Sequence, residues 1–162
     1  MATEIKEMAE RAEKKLEEVT KKAEAFVSDM TDDAKEFWQE LKGKITGVEE
    51  KLKESAQKIE SSAEEVKLEA KLGIMEAKEK MSTLEKSLEE FVNEAKTKTA
   101  QEIDIAALRA HLAKMEAEDA WEETAHKIRH EIAVGKADAK LMAKKAAKEL
   151  DEVTEKIKSL FA

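Results

Sequence analysis

No proline, cysteine or tyrosine occurs in the 162 residues of this chain, and glycine occurs only at Gly43, Gly47, Gly73 and Gly135. Each absence excludes something. Proline costs about 3 kcal/mol inside a helix, so a chain without it meets no such obstacle to long helices. Four isolated glycines are too few for the tight turns of a sheet protein and cannot form a phosphate-cradling loop. Without cysteine there is no disulfide framework, no thiol nucleophile and no thiolate metal site. Aromatic residues are 4% of the chain. Leu, Ile, Val and Phe together are about one residue in five, too little for a thick core. No apolar run reaches the ~18 residues of a membrane span, and the stretch Met1 to Glu7 has no secretory apolar core, so the expected location is cytoplasmic.

What remains is charge and alanine. Charged residues make up 42%, with 30 Lys and Arg against 38 Asp and Glu, for a net charge of −8. Both signs are interspersed, which argues against a nucleic-acid footprint, since that needs a basic face.

The apolar positions fall in a stripe. Ile5, Ala9, Ala12, Leu16, Val19, Ala23, Phe26 and Met30 alternate steps of four and three, the heptad seam of a coiled coil. Ala34, Phe37, Leu41, Ile45, Val48, Leu52, Ala56 and Ile59 continue it in an eleven-residue repeat that aligns Phe26, Phe37, Val48 and Ile59, relaxing the supercoil towards straight. The stripe runs on through Ala63, Val66, Ala70, Ile74, Ala77, Met81, Leu84, Leu88, Phe91 and Ala95. Acid-first pairs such as Glu7–Arg11, Glu49–Lys53, Glu54–Lys58 and Glu76–Lys80 stand at i, i+4, the helix-stabilising order.

After Ala95 the seam positions turn polar, and the stripe resumes out of phase at Ile105, Leu108, Leu112 and Met115; Thr99 with Glu102 reads as a capping box. The expected architecture is therefore all-α: an elongated antiparallel coiled-coil hairpin or small bundle with mixed heptad and eleven-residue repeats. It has a long amphipathic helix over 1–96 and an alanine-rich return helix over 100–162. Breaks in the first helix are candidates near Thr31, which precedes Asp32 and Asp33, and over 43–47, but the stripe keeps phase through both. Alanines on several faces of the return segment (Ala106, Ala107, Ala110, Ala113, Ala117, Ala120, Ala133, Ala137, Ala143, Ala147) predict contact with more than one partner helix. Lys6–Lys22 and Lys140–Lys156 also share a residue pattern.

Function follows from a length mismatch. At 1.5 Å per residue the first helix would span roughly 140 Å and the second about 90 Å. Residues near Leu16, Val19 and Phe26 would then keep an uncovered stripe, widened by Val27 beside Phe26 and by Trp38 beside Phe37. The chain is accordingly expected to be a structural or scaffolding coiled coil that self-associates, as a homo-oligomer or filament, through Leu16, Val19, Phe26, Phe37, Trp38, Leu41 and Trp121. The alternative is an amphipathic coat on a lipid or polymer surface, and a second alternative is a stress-protective chain that folds only conditionally. The eleven-residue repeat and lack of proline are similar to exchangeable apolipoproteins, late-embryogenesis-abundant stress proteins and granule-coating phasins, in composition and period only.

No enzyme is expected, nor a cofactor, small-molecule substrate or nucleic-acid partner. Ser/His/Asp chemistry lacks a glycine elbow, and carboxylate pairs on a Glu-rich chain are too common to point anywhere. The one metal-like constellation is Glu123, His126 and His130, which share a helix face at i, i+3 and i+7. A carboxylate-bridged di-metal bundle needs two Glu-x-x-His units, and this chain has one. The remaining local feature is a basic patch, Lys136, Lys140, Lys144, Lys145 and Lys148, suited to solvent, an acidic patch on another subunit or an anionic lipid surface.

Overall fold

The computed structural model describes residues 2–99 and 102–161. Six helices follow in order: α1 (Ala2–Val27), α2 (Asp32–Lys58), α3 (Glu64–Thr97), α4 (Ile105–Glu118), α5 (Trp121–Ala133) and α6 (Ala139–Leu160). Among the described residues there is no strand.

Ion pairs at the helix rims fix the directions. Lys6 reaches Glu60 at 4.0 Å, and Lys42 pairs with Glu24, so α1 and α2 are antiparallel. Lys51 to Glu76 at 3.4 Å and the stacked rings of Phe37 and Phe91 make α2 and α3 antiparallel. Down the outside of α3 return α4 and α5 as one interrupted limb, with His111 Nδ1 at 2.6 Å from Glu90 and Arg129 at 3.1 Å from Glu69. The last helix, α6, lies against both α1 and α3. Its pairs Glu4–Lys144 (3.1 Å), Lys15–Glu155 (2.9 Å) and Glu18–Lys158 (2.8 Å) keep the same sequence spacing, as only parallel helices can. Lys78–Glu149 and Glu85–Lys156 do likewise for α3 and α6. The core is thus a four-helix bundle of α1, α2, α3 and α6. The α4–α5 limb is the crossover that carries the chain back so that α6 can run parallel to α3.

The expected helix over 1–96 is corrected to three. Thr31 does end the first: its Oγ accepts a hydrogen bond from Ala34 N at 3.3 Å, and Asp32 and Asp33 complement the start of α2. Residues 43–47 are continuous helix. The second break, over 59–63, was hidden because Ile59, Ala63 and Val66 keep the seam in phase. Its local signal is Ser61, whose Oγ accepts from Ala63 N at 3.2 Å just ahead of Glu64 and Glu65. The expected return helix is likewise three helices. Asp104, not Thr99, caps α4, taking a bond from Ala107 N at 3.0 Å; Ala100 and Gln101 lie outside the described residues.

The α5 terminus shows why a periodic segment stops. Gly135 has φ +78°, a conformation that costs side-chain-bearing residues but not glycine. Around it Gly135 N–H donates to Ile132 O at 3.2 Å and Lys136 N–H to Glu131 O at 2.8 Å, a Schellman closure of the helix. Three residues on, the Asp138 carboxylate accepts from Lys140 N at 2.9 Å and opens α6.

Burial follows the stripe. Thirty-seven hydrophobic residues are buried among the described residues, eleven of them alanine. They form a larger cluster from Ala9 to Ile157 and a smaller one at the end where α1 begins, containing Ile5, Ile59, Ile74, Trp121 and Ala147. Packed by α2, α4 and α6, α3 buries residues on most of its faces, Glu85 and Ser87 included. The alanine prediction divides. Ala143 and Ala147 of α6 are fully buried between two helices, whereas Ala106, Ala107, Ala110, Ala113 and Ala117 of α4 are exposed.

Candidate interaction surfaces

The seven residues expected to mediate self-association are turned inward. Leu16, Val19, Phe37 and Leu41 are wholly buried in the larger cluster, and Trp38 is 2% exposed there. Phe37 stacks on Phe91 with centroids 5.4 Å apart. Phe26 is half-buried at the rim, edge-on to Phe161 at 5.5 Å, and the same Phe161 ring meets Trp38 at 6.5 Å. Trp121 belongs to the other cluster and is 9% exposed. The fold thus brings six of the seven together and seats the seventh elsewhere. The overhang from which intermolecular contact was derived is absent, because α1 folds back at 28–31 and is covered by α2 and α6.

Glu123, His126 and His130 sit on α5 and are all exposed. Nothing converges on them: no group of three or more His, Asp or Glu side chains among the described residues is placed to hold a metal ion.

Two clefts mark the surface. The larger, about 440 Å³, lies between α2 and α3 beneath the α4–α5 break, with Val48, Ala77 and Leu84 in its lining. Its lysines are committed: Lys44 to Glu116 at 2.6 Å, Lys51 to Glu76 at 3.4 Å and Lys80 to Glu76 at 3.5 Å. A groove so neutralised selects neither anions nor cations. The smaller, about 340 Å³, runs along the α1–α2 junction and is lined by Glu10, Glu13, Glu17, Lys14 and Lys53. Burial and the charge of Glu17 raise the Glu13 carboxyl above its ordinary range, and burial with Glu17 and Glu13 does the same to Glu49. Like charges crowd here. On the opposite flank of α1, the hydrogen bonds from Lys144, Lys158 and Lys15 hold Glu4, Glu18 and Glu155 below that range. The helix is zipped to α6 and held less favourably against α2, an asymmetry that sequence pairing at i, i+4 did not reveal. Only a three-dimensional neighbour list distinguishes Glu18 with Lys158 from Glu18 with Lys22.

No helix among the described residues is long and apolar enough to cross a membrane. The largest apolar side chains left exposed among them are Val134 (53%) and Leu141 (57%), both at the α5–α6 corner. Comparison with known protein families, with curated proteins and with solved structures finds no match.

Proposed function

We propose that this protein acts without catalysis, as a coat whose amphipathic helices exchange their packing in the bundle for contact with a lipid or polymer surface. One observation carries this reading. The apolar seam, with its mixed heptad and eleven-residue spacing, is satisfied inside a single chain by a thin, alanine-rich core. Burial contributes about 25 cal/mol per Å² of apolar area, so alanine positions hold the helices together weakly compared with leucine. The helices α1, α2 and α6 keep a polar outer face, so their stripes can lie against an external apolar surface without stranding a charge. Short connections at 28–31, 59–63, 119–120 and 134–138 supply points about which the helices reorient.

The self-assembling scaffold is the weaker reading of this geometry. Leu16, Phe37 and Trp38 are already buried within one chain, so assembly through them requires exchanging a helix between copies.

Light scattering on the purified chain separates the two. The coat reading expects a mass near the 18.2 kDa of one chain in plain buffer. It also expects binding to vesicles or hydrophobic polymer particles, with helicity kept and the near-ultraviolet signal of Trp38 and Trp121 lost. A stable oligomer that ignores both surfaces reinstates the scaffold. A chain unfolded in buffer that becomes helical only on drying points to the stress-protective alternative.

A further inference from the structure

We propose that the α5–α6 corner is where the protein first docks on an anionic lipid surface. The proposal rests on the coat reading and names its point of entry. Val134 and Leu141 flank the turn and stand 53% and 57% exposed. This exposure is not fraying. Between them the Schellman bonds around Gly135 and the Asp138 cap fix the backbone, so both side chains are presented by a set turn.

Charge surrounds this apolar pair. Between residues 127 and 148 the chain carries seven Lys and Arg against two acids, Glu131 and Asp138, whereas the whole chain is net −8. Two of the seven are paired across helices, Arg129 with Glu69 and Lys144 with Glu4, each at 3.1 Å, so the local basic excess rests on the lysines of the corner itself. Asp138 is already engaged as the α6 cap. Lys136, Lys140 and Lys148 make no ion pair among the described residues, and Lys145 reaches only Glu149 of its own helix, at 4.0 Å. Leu141, Lys145 and Lys148 follow one another at i, i+4 and i+7, all exposed, along a single outward line of α6. A fixed aliphatic pair inside a ring of uncommitted lysines matches a bilayer rich in anionic headgroups: the lysines meet phosphate, and the aliphatic tips reach the acyl boundary. An acidic protein surface would satisfy the lysines but leave Val134 and Leu141 without a purpose.

The test is co-flotation of the full chain with phosphatidylcholine vesicles, with and without phosphatidylglycerol, at low and high salt. Two variants accompany it: Lys136→Glu/Lys140→Glu/Lys148→Glu, and Val134→Ser/Leu141→Ser. All these positions except Lys136 and Val134 lie on α6's exposed side or at its start, and none is buried, so thermal melts should match the wild type. The expected result is binding that needs the anionic lipid, weakens with salt, and falls at least about tenfold in either variant. Wild-type binding that both variants retain overturns the corner and leaves the coat reading standing. Absence of binding to any vesicle or particle overturns both. Loss of a concentration-dependent dimer in the variants, without any vesicle binding, assigns the corner to a second copy instead.

Discussion

Phe37 lies almost parallel to Phe91, with an interplanar angle of 13° and no exposed surface. Phe37→Asp puts an unpaired carboxylate in that stack. The lost ring alone costs about 3–5 kcal/mol and the charge adds to it, against a total stability of about 5–15 kcal/mol for a domain of this kind. The variant should therefore lose its cooperative melt by circular dichroism. Glu54→Lys removes only an exposed pair with Lys58 and should shift stability by less than about 1 kcal/mol in denaturant titration. Equal tolerance of both would mean the buried face is assigned wrongly. The glycines give a finer test. Gly43 and Gly47 are mid-helix, and a methyl group at either meets nothing within 4 Å, so Ala there should stabilise by about 0.5–1 kcal/mol each. Gly135→Ala should destabilise by about 1 kcal/mol, because its φ of +78° is one that alanine resists.

At the scale of elements, α1 carries a pH dependence of definite sign. Glu13 and Glu49, raised by burial and then by the charge of Glu17 beside both, bind protons more tightly when folded. Their contribution grows as pH falls from neutral through their folded values. The groups facing them are Glu10, Glu17, Glu50 and Lys53. Glu4, Glu18 and Glu155 are lowered by their lysines, and the stability they supply is lost only as pH falls further, below the ordinary carboxylate range. Thermal melts should show a maximum at mildly acidic pH. Glu49→Gln should raise stability at neutral pH and flatten the rise on the acid side; a melt that falls steadily from neutral pH downward would contradict the α1–α2 crowding.

The same elements show what the sequence could and could not disclose. Leu16, Phe37, Leu41 and Leu84 are inside because period alone sets a helix's face, so burial was legible residue by residue. Helix boundaries were less so. At 59–63 the apolar spacing of Ile59, Ala63 and Val66 continues the steps of four and three across the turn, so the stripe carries no mark of it. Thr31 with its following aspartates was a visible signal outweighed by the seam's continuity, whereas Ser61 before Glu64 and Gly135 before Asp138 entered no boundary expectation. Direction was not legible at all. That α6 runs parallel to α1 depends on which lysine meets which glutamate across space, and a chain with 42% charged residues offers too many equivalent pairs to choose from. Among the candidate site residues, the metal-like trio was placed correctly on one helix. The self-association set lies on the seam, and the turns fold that seam onto itself so that Leu16, Val19, Phe37, Trp38 and Leu41 are buried within one chain.

For the whole molecule, the central claim is that one seam serves two masters, the bundle in solution and a surface when bound. Opening requires α2 and α3 to part, and a close approach between them at Ser55 and Gly73 offers a lock. At Gly73 a Cβ would lie 3.6 Å from the Cβ of Ser55, within the span of a disulfide, and the chain has no other cysteine to interfere. Ser55→Cys/Gly73→Cys should fold, oxidise and hold the two helices antiparallel. Vesicle binding measured on the oxidised and the reduced forms of this one protein is the most direct test. The account predicts that binding is lost on oxidation and returns with reductant, while helicity is the same in both; equal binding by the locked and unlocked bundles would contradict it.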